Sequence, residues 1–178
     1  MVDDSRPWSV LLRLDEVPEA GRHVVLEADE ATRKAIAEAA GVVAVPQLTA
    51  RFDVTQHGAE GLHVAGQVTA NVIQTCVVTL EPVENVVEET VDLAFLPGAE
   101  IPEAREATGE EGLDLGADDP PEVLEDGTVD LGAIATEFLL LGIDPYPRKP
   151  GAVFVSPVEE DPDEHPFAAL ARLKKNQE

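Results

Sequence analysis

Hydrophobic and polar positions alternate with a period near two along several stretches of the chain. Trp8, Val10, Leu12 and Leu14 alternate with Ser9, Leu11 and Arg13, which predicts a first strand with one apolar face. Val17-Pro18-Glu19-Ala20-Gly21 ends it, and His23 to Leu26 predicts a short second strand. Asp29 reads as an N-cap for a helix whose apolar stripe is Ala31, Ala35, Ile36, Ala39 and Ala40, closed by Gly41. The strongest alternation follows. Leu48, Ala50, Phe52 and Val54 form one line, and after the turn at residues 58–61 Leu62, Val64, Val68, Ala70, Val72, Cys76, Val78 and Leu80 form a second. The opposite parity is polar, so this predicts a long antiparallel hairpin with one buried and one wet face. Val87, Val91, Leu93 and Phe95 predict a third long strand after Glu81-Pro82. Pattern returns at Val129, where Asp130 can cap a helix carrying Leu131, Ile134, Ala135, Phe138, Leu139 and Leu141. The expected class is α+β: an antiparallel β-sheet of long strands packed by a few helices.

Charge changes the picture between these elements. Lys and Arg number 12 against 36 Asp and Glu, for a net charge of −24. From Glu81 to Asp130 seventeen acids face one base, Arg105, so that this window carries −16, two thirds of the excess. Gly98 to Pro121 is Gly-, Pro- and acid-rich without periodicity, which predicts an acidic disordered loop. It reads either as a solubilising linker or as a decoy surface for a basic partner. A polyanionic chain repels phosphate backbones, so broad electrostatic binding of nucleic acid is disfavoured. The expectation is one domain over residues 1–178: a β-rich core at 6–96, an acidic flexible loop at 97–127, a helix and Pro-rich segment at 128–155, and an acidic linker with a C-terminal amphipathic segment at 156–178. That segment joins Phe167, Leu170 and Leu173 to Arg172, Lys174 and Lys175, and is expected either docked or free. The longest apolar run, Phe138 to Ile143, is far below the roughly 18 to 20 residues of a membrane span, and no signal peptide is visible. A cytoplasmic chain with a reduced thiol is expected.

Candidate chemistry is sparse. No Gly-rich phosphate loop, HExxH, GxSxG or CxxC motif is present. His57 and His63 flank one turn without further ligands and read as solvated strand residues. Cys76, on the apolar parity and without a basic sequence neighbour, reads as a small core residue rather than a nucleophile. Glu137, inside the apolar run of the last helix, is expected half-buried and paired with Arg148. No catalytic residue, cofactor or metal is expected.

Three stretches together resemble the YceD family of large ribosomal RNA subunit accumulation proteins. They are Gln74 to Val83, containing Cys76, Thr79, Leu80 and Glu81; Asp130 to Arg148, containing Glu137, Pro145 and Pro147; and Pro166 to Lys174, containing Phe167, Leu170 and Arg172. The resemblance implies a non-enzymatic role in synthesis, processing or stability of 23S ribosomal RNA during large-subunit assembly. The partners it implies are a large-subunit precursor or a basic ribosomal protein, with any RNA contact indirect or local, near Arg148, Lys149 and the Arg172 to Lys175 tip. An acidic chaperone for one basic ribosomal protein is the alternative, and a metal-dependent hydrolase built from acids is a third. Many relatives carry a second cysteine where Thr79 stands, so a zinc role does not transfer simply.

Overall fold

A computed structural model describes residues 6–58, 60–98 and 121–154. Residues 99–120, most of the expected acidic loop, and the C-terminal amphipathic segment, including Phe167, Leu170, Arg172 and Lys174, lie outside the described residues.

The chain is α+β. Three long strands, β3 (Ala44–His57), β4 (Gly61–Thr75) and β5 (Pro82–Leu96), are joined in antiparallel pairs. β2 (Arg22–Glu27) flanks β3, and the two-residue β6 (Glu122–Val123) runs parallel to the end of β5, giving the order β2-β3-β4-β5-β6. β1 (Leu11–Arg13) pairs with β7 (Thr128–Asp130) in a separate small sheet. The helices α1 (Glu30–Ala40) and α2 (Leu131–Gly142) pack on β3 and on β5 and β4, respectively.

The predicted parity is the physical basis of the core. Register places Leu48, Ala50, Phe52 and Val54 beside Ala70, Val68, Gly66 and Val64, and all of these except Gly66 are almost wholly buried. Val87, Val91 and Phe95 continue the same face in β5. Gly66 is required opposite Phe52, because a Cβ there would run into the Arg51 carbonyl and the Phe52 ring. Pro46, which lacks an N–H, falls where the β3–β4 register shifts. The opposite face is left to water: Arg51, Asp53, Gln67, Asn71, Glu88 and Asp92 are exposed along it.

Both helix starts follow the sequence. The Asp29 carboxylate accepts the Thr32 amide at 2.8 Å, and Gly41 ends α1 in the left-handed region at φ 67°. The buried line of α1, however, runs through Ile36 and Ala37, with Ala31 and Ala39 exposed, because the helix meets the sheet on a narrow stripe over β3. Asp130 accepts the Gly132 and Ala133 amides, the Val10 amide and the Ser9 hydroxyl, tying the N-terminal segment to α2. Burial alone would raise its carboxyl pKa, but these donors, together with Arg6, hold it below the usual range. Gly132 lets residues 8–10 lie directly on the helix.

Two strand expectations are corrected. The first strand is only Leu11–Arg13, because Leu14–Glu16 turns into a 3-10 helix closed by the Glu16 carboxylate on the Arg13 amide. The second long strand stops at Thr75, so Val78 and Leu80 are not on its buried face, and Leu80 is 76% exposed at φ 60°. The Cys76 amide bonds to the Glu81 carbonyl and the Leu80 amide to the Cys76 carbonyl, which closes a turn where the alternation continued.

Candidate functional site

The motif residues converge where this turn meets the segment after α2. The Val77 amide donates to the Pro147 carbonyl at 2.9 Å, and the Lys149 amide reaches the Cys76 Sγ at 3.3 Å. The same sulfur accepts the Val78 and Thr79 amides, each at 3.4 Å. Lys149 Nζ bonds Glu81 Oε2 at 2.9 Å, and the Glu81 amide donates to Thr79 Oγ1. Cys76, Thr79, Leu80 and Glu81 thus share one junction with Pro147 and Lys149, and Pro147 is buried within it.

Beneath the turn, buried Gln74 donates to the Asp144 carbonyl and accepts from Asn85, each at 2.8 Å. One amide side chain therefore ties β4, β5 and the end of α2 together. A cleft of about 280 Å³ lies alongside, lined by Gln74, Thr75, Val77, Asp144, Pro145 and Pro147, with the C-terminal end of α1 on its far wall.

The donors determine the electrostatics of the thiol. The Lys149 amide, then the Thr79 hydroxyl and amide, then the Val78 amide lower the Cys76 pKa to about 6, against the opposing effect of burial. The sulfur is buried, so this geometry serves an anchoring acceptor between two chain segments. The Lys149 ammonium likewise holds the Glu81 carboxyl below its usual range. At the surface of the junction the side chains of Val77, Leu80, Tyr146 and Arg148 are exposed.

Several expectations change here. Cys76 is buried, but as a hydrogen-bonded sulfur in a turn rather than as a hydrophobe on a strand, because the chain folds back at Thr75. Glu137 is exposed and forms no ion pair with Arg148; α2 turns it toward an apolar groove of about 250 Å³ that it lines with Arg6, Pro7, Trp8, Leu140 and Leu141. Pro145 is exposed beside the cleft. Lys149, whose amide and ammonium both serve the junction, was missed as a partner of the motif; its sequence signal was its place in the Pro-rich basic segment. His23 and His63 bond to Asp53 and Asp92 across the wet face, at 2.8 and 2.6 Å. Among the described residues no group of three or more His, Cys, Asp or Glu is arranged to hold a metal ion, and no helix is long and apolar enough to cross a membrane.

Comparison with known families finds a match to the family described as Large ribosomal RNA subunit accumulation protein YceD, over residues 64–174. The match begins in β4 and takes in β5, the Cys76 turn, α2 and the segment carrying Pro147 and Lys149. No curated protein and no solved structure matches the chain. With more than half of its length matched, the chain belongs to the YceD family, whose name ties it to accumulation of large-subunit ribosomal RNA.

Proposed function

We propose that the protein is a non-enzymatic factor for synthesis, processing or stability of 23S ribosomal RNA, acting in the cytoplasm through protein contacts during large-subunit assembly. The observation that carries this reading is the union of the family match with a net charge of −24. A polyanion gains nothing from releasing the counterions of RNA, so affinity for the particle must come from groups other than phosphate. Any direct RNA contact is local, around Arg148 and Lys149 and the basic tip from Arg172 to Lys175. The closed thiol and self-satisfied junction support a scaffold rather than a reaction centre.

A second reading, an acidic chaperone for a basic ribosomal protein, is favoured by β5. That strand carries Glu84, Glu88, Glu89 and Asp92 and no base. Both readings are tested by recovering the tagged full chain from cells and identifying what comes with it. Large-subunit precursors or their proteins are expected, with a salt-sensitive one-to-one complex under the second reading. Recovery of neither, or Mg²⁺-dependent cleavage of a 23S precursor by the purified protein, overturns the proposal.

A further inference from the structure

We propose that the outer edge of β5 is a docking edge for an extended, basic segment of a partner protein, added to the sheet as a further strand. Among the described residues β5 pairs on that side only at Phe95 and Leu96, with the two-residue β6. Among the described residues, 82–94 therefore present an unpaired edge about 40 Å long, in which alternate residues turn N–H and C=O outward. The side chains flanking it are acidic at a regular interval. Glu84, Glu88 and Asp92 are exposed on the wet face, four residues and so about 13 Å apart. Val86, 66% exposed, lies between the first two and offers an apolar contact. Glu89 stands on the other face at the end of α2, where Gly142 abuts it and Val87.

Charge selects the occupant. A second copy pairing edge to edge would set acids against acids, which opposes the pairing. An RNA strand would meet the same repulsion. A chain with Lys or Arg at alternate positions satisfies the backbone and the three wet-face carboxylates together, as in strand addition to sheet edges generally. The opposite edge, β2, is six residues long and mixes Arg22 and His23 with Glu27. The inference rests on the reading that the cargo is a basic protein, and it says where and in what conformation that cargo binds.

The test uses the full chain and a fluorescent 12-residue peptide with Lys at every second position and Val or Thr between, alongside a twin with Glu for Lys. The basic peptide is expected to bind in a salt-sensitive manner and the acidic twin not to bind. Combined Glu84→Lys, Glu88→Lys and Asp92→Lys should weaken binding by about tenfold or more, whereas Glu19→Lys, Glu27→Lys and Glu38→Lys, with the same change in net charge, should leave it within about twofold. Bound peptide should slow amide exchange within residues 82–94 and not within 22–27. Equal loss in both triple variants, unchanged exchange in β5, or full protection of the outer β5 amides in the free chain overturns the proposal. A basic ribosomal protein that binds the β5 variant as tightly as the parent defeats the edge while leaving the chaperone reading intact. Peptide held at β5 with no ribosomal protein bound supports the edge and defeats that reading.

Discussion

The Cys76 junction and the β5 edge use the same kinds of groups in opposite ways. At the junction, backbone amides, a thiol, a carboxylate and an ammonium are spent on one another, joining the β4–β5 turn to the segment after α2. Along β5, among the described residues, backbone groups and carboxylates face outward. The family motif therefore does structural work in this chain, and the outward carboxylates lie along the strand that leaves it. Leu80 marks the boundary: its left-handed conformation costs about 1 kcal/mol, and its side chain is presented at the tip of the turn.

The largest effect expected is one that breaks both regions at once. Phe52→Ala removes a wholly buried ring from the strand pair that supports them, and should cost about 3–5 kcal/mol in a urea titration, with junction and edge amides losing protection together. Gln74→Leu should separate them. It strands the Asn85 amide and the Asp144 carbonyl, costing about 1–3 kcal/mol, and should loosen residues 76–82 in hydrogen exchange while the middle of β5 stays protected. The junction should respond to pH. The folded Cys76 thiol titrates at about 6 rather than 9.0, so the folded chain binds fewer protons between those values. The stability it contributes is complete above the unfolded value and is lost as pH falls through about 6. The urea midpoint of the parent should therefore rise from pH 6 to pH 9 relative to Cys76→Ala; parallel profiles would refute the thiolate anchor. The smallest effect is expected for Lys149→Ala, which removes an exposed ion pair with Glu81 but keeps the amide on the sulfur. A slight fall in Tm at low salt, vanishing at high salt, is expected, and a loss as large as that of Gln74→Leu would show that the ammonium matters more than the amide.

Much of the sheet was legible because its inner face is a two-residue repeat carried by Leu48 to Val54 and Leu62 to Val72. The helix starts were legible because Asp29 and Asp130 are local signals. Alternation misled at Val78 and Leu80, where hydrogen bonds across the turn outweigh apolar spacing. β1, β6 and β7 are too short to carry a period, and their pairing spans more than a hundred residues in one case. The candidate site was legible as motif strings but not as an assembly: the meeting of Cys76 with Lys149 is made by backbone amides, which leave no mark on residue type. Glu137 was misplaced for a related reason, since a helical position at the rim of an apolar stripe can face either the core or a groove.

The proposed role is that of an acidic scaffold that handles basic protein cargo rather than gripping RNA. It is tested most directly by titrating the purified full chain, at about 0.15 M salt, with bare 23S ribosomal RNA and separately with the basic proteins of the large subunit. Saturable binding to at least one of those proteins, and none to the bare RNA, is expected. Tight binding to naked RNA, with no ribosomal protein bound, would contradict it.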